Sequence, residues 1–129
     1  MKSSVKWLRI SYWVGAIADG LIALIMFSQA VLASPSPLNN YTPEIPYRYA
    51  IGLAGSLMAG WTILLIWADR RPVERKGILL LTCVVILGLL ITTLASGFSG
   101  FMPMASVTLV VGFQIALLFL FVGSYVINR

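Results

Sequence analysis

Residues 77–128 read GILLLTCVVILGLLITTLASGFSGFMPMASVTLVVGFQIALLFLFVGSYVIN, without one charged side chain. As a single helix these 52 residues would be about 78 Å long at about 1.5 Å per residue, against a hydrocarbon core of about 30 Å. The run must therefore fold back once. The only stretch that breaks it is Ser96-Gly97-Phe98-Ser99-Gly100-Phe101-Met102-Pro103, where two glycines and a proline interrupt the apolar sequence. This predicts two antiparallel spans, over about 77–96 and 104–127.

Upstream, Gly20 to Pro43 and Tyr49 to Ala68 are also free of charge, which predicts two more helices over about 9–33 and 49–68. The composition agrees: of 129 residues, 60% are hydrophobic and only 10% charged, where soluble domains carry about a quarter charged. The chain is thus expected to be one transmembrane domain over 1–129, an all-α, integral membrane four-helix up-down bundle. The first span has a basic start and a signal-peptide-like end at Val31-Leu32-Ala33-Ser34. Its apolar stretch exceeds the roughly 7–15 residues of a signal h-region, so it is read as a retained helix.

Charge sets the expected orientation. Lys2, Lys6 and Arg9 precede helix 1, Arg70, Arg71, Arg75 and Lys76 lie between helices 2 and 3, and Arg129 ends the sequence. With four crossings these fall on one side and Arg48 alone on the other, so the positive-inside rule puts both termini and the 69–76 loop in the cytoplasm, at the cell (inner) membrane. The net charge of +5 is then a topology signal with some attraction to anionic lipid, and nothing supports a nucleic-acid partner. No His and one Cys exclude His-ligated haem or metal, a Ser-His-Asp triad and a disulfide within the chain. No cofactor or metal is expected, no catalytic constellation stands out, and the chain is read as a non-enzyme.

The outer loop 34–48 has four prolines, which argue against a helix and for a rigid cap on the bundle. Its only charges, Glu44 and Arg48, are spaced for an ion pair worth under about 1 kcal/mol, and as a docking surface the loop would use them. The inner loop 69–76 ties helices 2 and 3 into a hairpin.

Asp19 is the outlier. It lies ten residues after Arg9, about 15 Å up helix 1 and near mid-membrane. A charge at that depth costs about 2.5–3.5 kcal/mol on insertion scales and by default marks a functional site. Two readings compete: a protonated or hydrogen-bonded packing contact, or a proton or cation site. Gln114, near the centre of helix 4, is the second polar residue at depth, and it meets Asp19 if helices 1 and 4 pack together.

Gly52, Ser56 and Gly60 repeat at four-residue spacing on helix 2, Gly88, Thr92 and Ser96 on helix 3, and Gly112 and Ala116 on helix 4. Such small-xxx-small stripes let helix backbones approach closely in lipid, inside one bundle or between two copies. Trp7, Trp13, Trp61, Trp67 and Tyr125 read as interfacial anchors, and Cys83 as a small apolar residue.

The segments Ser11-Tyr12-Trp13-Val14-Gly15-Ala16-Ile17-Ala18-Asp19 and Gly60–Arg75 resemble a group of small four-span prokaryotic membrane proteins. More widely the chain is similar to DoxX-like four-helix proteins, over its whole length as a hydropathy pattern. The resemblance implies a four-helix membrane bundle and no assigned activity. Tyr12 to Met26, with Asp19 at its middle, is also similar in outline to helix 1 of the small multidrug-resistance exporters, which exchange protons for a cationic drug at a mid-helix acid. That acid is Glu in the exporters and Asp here, and loop 34–48 is longer and richer in proline.

Two functions follow as expectations. The first is a non-enzymatic assembly or accessory protein of the lipid bilayer, joining a second copy or a membrane-protein partner. The second is a small proton- or cation-coupled transporter using Asp19.

Overall fold

The computed structural model describes residues 2–129, and the side chain of Lys2, one of the basic residues expected on the cytoplasmic side, lies outside what is described. Four helices account for nearly all of it: α1 (Lys2–Leu32), α2 (Ile45–Asp69), α3 (Gly77–Phe98) and α4 (Met104–Ile127). Each is long and apolar enough to cross a membrane. The surface confirms which way the chain is turned out. Large side chains such as Leu24, Leu57, Ile63, Ile91, Leu109 and Phe119 stand exposed on all four helices. That continuous apolar belt suits hydrocarbon, where a soluble monomer exposes patches of only a few hundred Å².

The expected break is where the sequence placed it. Gly100 takes a left-handed φ of 77°, Met102 N–H donates to Ser96 O (3.2 Å), and Pro103 starts α4. α3 runs to Phe98 rather than 96 because Gly97 still packs against α4: a Cβ there would lie 2.9 Å from Val107 Cγ2. Without a side chain at 97 the two helices close tightly above their turn.

Two other boundaries also differ from expectation. α1 begins at Lys2 rather than near 9, since its first turns are tied down by contacts that hydropathy does not register: Leu8 is fully buried and Asn128 Nδ2 donates to Ser4 O (2.8 Å). α2 begins at Ile45 rather than 49, so residues 45–48 are helical despite the local prolines. Pro46 sits in the first turn, where a missing N–H costs no helical hydrogen bond.

α1 is the central helix. It packs against α2 and α4, and α4 in turn packs against α3. The core lies in the half nearest the 69–76 loop, built from Leu8, Tyr12, Leu65, Leu79, Ile86 and Phe121 among others. Gly15 makes the three-way contact possible, since a Cβ there would sit 2.9 Å from Phe121 Cζ and 3.0 Å from Leu65 Cδ1. α2 and α3 are not mutually packed in the same way. Trp61 reaches across, its Nε1 donating to Thr82 Oγ1 (3.1 Å). Trp61 is thus a bridge within the bundle and not the headgroup anchor expected of it, whereas Trp7 and Trp67 are exposed near helix ends and Trp13 is exposed eleven residues into α1, beside the end of α2.

The small-residue stripes divide. Gly52 and Gly55 face α1, with hypothetical Cβ atoms 3.4 Å from Ala30 Cβ and 3.1 Å from Met26 Cβ. Gly60, Gly88 and Gly112 have open space around them, and Ser56, Thr92 and Ala116 are exposed. Within one chain, then, these residues do not form the packing seams. The inward faces of α3 and α4 carry larger residues, and Ser56 and Thr92 return their hydroxyl protons to Gly52 O and Gly88 O of their own helices.

An alanine at an open helical glycine gains up to about 1 kcal/mol, and overpacking an enclosed site costs about 1–3 kcal/mol. Gly15→Ala is therefore expected to lower the thermal midpoint of the detergent-solubilised protein, and Gly60→Ala to leave it unchanged or raise it. Equal effects from the two substitutions would contradict the packing described for Gly15.

Candidate functional site

Polar contacts gather at three levels, and the two ends are structural. At the basic end, Asn128 touches both termini and the inner loop: its side chain donates to Ser4 O and its carbonyl accepts Lys76 Nζ (2.6 Å). These contacts bring the N-terminus, the C-terminus and the 69–76 loop to one end, and with them every basic residue except Arg48. Tyr12 Oη donates to Pro72 O (3.1 Å), and the Ser11 and Ser124 hydroxyls share a hydrogen bond of 2.6 Å. Trp13 Nε1 donates to Asp69 Oδ2 (3.1 Å), with Arg9 Nε 3.8 Å from Oδ1. Arg75 lies over the Trp67 ring at 3.3 Å. Asp69 therefore ties the end of α2 to α1 through Oδ2, while its buried Oδ1 has no hydrogen-bond partner beyond the Arg9 ion pair.

At the opposite end Arg48 departs from expectation. Its guanidinium donates to Ala30 O (2.9 Å) and Val31 O (3.0 Å). It caps α1 where Ala33, at φ 52°, ends the helix, and no ion pair to Glu44 forms among the described residues. The cause is electrostatic. A helix C-terminus presents unpaired carbonyls and partial negative charge, and a cation there satisfies both. Glu44 stays exposed as the N-cap residue of α2. Loop 33–44 is stitched to the α3–α4 turn, with Asn39 Nδ2 donating to Phe101 O (3.1 Å) and Ser106 Oγ to Leu38 O (2.8 Å). Beneath it, Tyr47 Oη donates to buried Gln29 Oε1 (3.2 Å). The loop is a fixed cap, and its two charges do not form a paired docking feature.

Between the ends lies a cleft of about 70 Å³ bounded by α1, α3 and α4. Asp19 and Gln114 both line it, together with Ile22, Thr82, Phe113 and Phe121. The two polar residues picked from sequence thus share one cavity, but they do not bond to each other. Gln114, 8% exposed, donates through Nε2 to Thr93 Oγ1 (3.2 Å). Its Oε1 is buried with no hydrogen-bond partner. The Asp19 carboxyl is partly buried, and no hydrogen bond or ion pair to it is found among the described residues.

Thr93 and Thr82 were missed from sequence. They stand eleven residues apart, about three helical turns, and so share one face of α3. That spacing was the available signal. In the alternative stripe, one residue out of phase, Gly88 and Thr92 are exposed and Ser96 is half-buried. Among the described residues no group of His, Cys, Asp or Glu is arranged to hold a metal ion, and the cleft has one carboxylate to offer.

A buried unsatisfied carbonyl costs about 1–3 kcal/mol, whereas an interhelical hydrogen bond in lipid averages about 0.6 kcal/mol. Gln114→Leu is therefore expected to keep or raise thermal stability, and Thr93→Val, which strips the amide of its one partner, to lower it by about 1 kcal/mol. A marked loss of stability in Gln114→Leu would mean that Oε1 has a structural partner. Comparison with protein families, curated proteins and solved structures finds nothing that matches this chain.

Proposed function

We propose that the chain is a multi-pass protein of the cell membrane, with both termini cytoplasmic, in which Asp19 exchanges a proton for a cation, as a small proton- or cation-coupled transporter requires. One observation carries this reading: Asp19 lines a cleft between three helices without a hydrogen bond or ion pair to a described residue. A carboxyl used to glue helices together is expected to bond across to one of them. An ionisable residue facing an interior cavity is the pattern of a proton or ion pathway. Asp19 is also the only ionisable side chain lining the cleft. A proton and a cation therefore compete for the one carboxylate, so that binding of either requires release of the other, which is the condition for coupling.

A second reading rests on a different observation. Gly60, Gly88 and Gly112 lie on the outer surface with nothing near them. Close helix approach in lipid uses such positions, which favours an assembly or accessory role beside a second copy or a membrane-protein partner.

The transport reading is tested in proteoliposomes with a pH dye inside and an imposed pH gradient, supplied in turn with Na⁺, K⁺ and ethylammonium outside. Wild-type protein is expected to collapse the gradient faster than protein-free vesicles with at least one cation, and Asp19→Asn to fall to the protein-free rate. Equal rates for wild type and Asp19→Asn would overturn it. For orientation, a phosphatase fused after Arg129 is expected to stay inactive in cells, because it functions only outside the cytoplasm; an active fusion would reverse the topology.

A further inference from the structure

Resting on that reading, we infer that the cleft selects a cation bearing N–H donors, a small primary ammonium with a short apolar tail, and that Gln114 is the residue that makes the selection. The inference comes from counting protons. Thr93 Oγ1 donates its hydroxyl proton to Leu89 O (2.8 Å), so towards Gln114 it can only accept. The amide must then turn its NH₂ to Thr93 (3.2 Å). Its Oε1 is left as an acceptor with no partner in the protein. The orientation of the amide thus follows from the chemistry of its neighbour.

The other oxygens lining the cleft obey the same arithmetic. Thr82 Oγ1 donates to Ile78 O (2.7 Å) and accepts from Trp61 Nε1 (3.1 Å), so it too has no proton to give. A charged Asp19 only accepts. The cleft therefore offers two acceptors that no described residue answers, the Asp19 carboxylate and Gln114 Oε1, against one donor left over, the second N–H of the Gln114 amide. With the negative charge of Asp19 this suits a donor-rich cation. Its remaining wall is apolar and aromatic, with Ile22, Phe113, Leu117 and Phe121. Those side chains suit a short hydrocarbon tail. A tetraalkylammonium matches the Asp19 charge but has no N–H for Gln114 Oε1. A site whose buried polar group is left unpaired by an analogue discriminates against it strongly. The –NH₃⁺ group carries three donors, so a single group has a proton for a carboxylate and another for an amide oxygen.

The test is calorimetric binding to the purified full chain in detergent, with ethylammonium chloride against tetramethylammonium chloride at equal ionic strength. Wild type is expected to bind ethylammonium at least about tenfold more tightly, the scale of one hydrogen bond to a charged group. Gln114→Leu should remove that preference by weakening ethylammonium alone. Thr93→Val, which frees the amide to rotate, should reduce it; this second variant serves if Gln114→Leu fails to fold. Asp19→Asn should abolish binding of both cations. If the two cations bind wild type equally and Asp19→Asn still abolishes binding, the selection by Gln114 is overturned while the Asp19 site stands. If wild type binds neither, or Asp19→Asn binds as wild type does, both readings fall.

Discussion

Hydrocarbon has no partner to offer a peptide group, and the whole architecture follows from that constraint. Each unpaired N–H or C=O in the bilayer core costs several kcal/mol, so a chain that crosses it does so as helix or closed barrel, and a lone apolar run of this length satisfies its own backbone only as helix. Irregular backbone is then confined to the ends. In this protein it occupies loop 33–44, the 70–76 connection and the 99–103 turn, and each of the three is closed by hydrogen bonds rather than left open. The helix termini that remain draw on side chains, most plainly where Arg48 caps the carbonyls of α1.

Because lipid tails are as apolar as leucine, burying leucine does not drive these helices together. Shape and polar contacts do. Gly15 and Gly97 admit Phe121 and Val107 at distances no side chain would allow, and serine, asparagine and tyrosine contacts tie the basic end. The middle is looser. Trp61 spans from α2 to α3 by a single hydrogen bond, and α1, α3 and α4 leave a cleft between them. The two closed ends leave that cleft, with the Asp19 carboxyl on its wall, between them.

Asp19 and Gln114 illustrate two ways of leaving a polar group unfinished. Asp19 has no hydrogen-bond or ion-pair partner among the described residues. Gln114 has one, and that neighbour dictates which half of the amide is left without a partner. The second is the more informative, since Thr93 fixes which way the amide points and so leaves its oxygen without a partner. An unsatisfied buried acceptor is a standing cost to stability, and a ligand that supplies the missing donor recovers it.

Sequence alone determined the number of spans, the place where residues 77–128 fold back, and the clustering of charge that separates one end from the other. Those features are one-dimensional: they depend on how many consecutive residues lack charge, and that count reads directly against the thickness of a bilayer. It also isolated Asp19 and Gln114, because a polar residue deep in an apolar run is conspicuous without any structure. Only the tertiary structure decided which faces of the helices meet. Gly52–Ser56–Gly60, Gly88–Thr92 and Gly112–Ala116 look alike as stripes, yet just the first part of one faces a neighbour, because helices that are apolar all round carry little periodicity to say which side is inward. The same loss of pattern hid Thr82 and Thr93, put Trp61 inside the bundle, and sent Arg48 to the end of α1 instead of to Glu44. Each depends on a contact between residues far apart in the chain, which spacing along one helix does not encode.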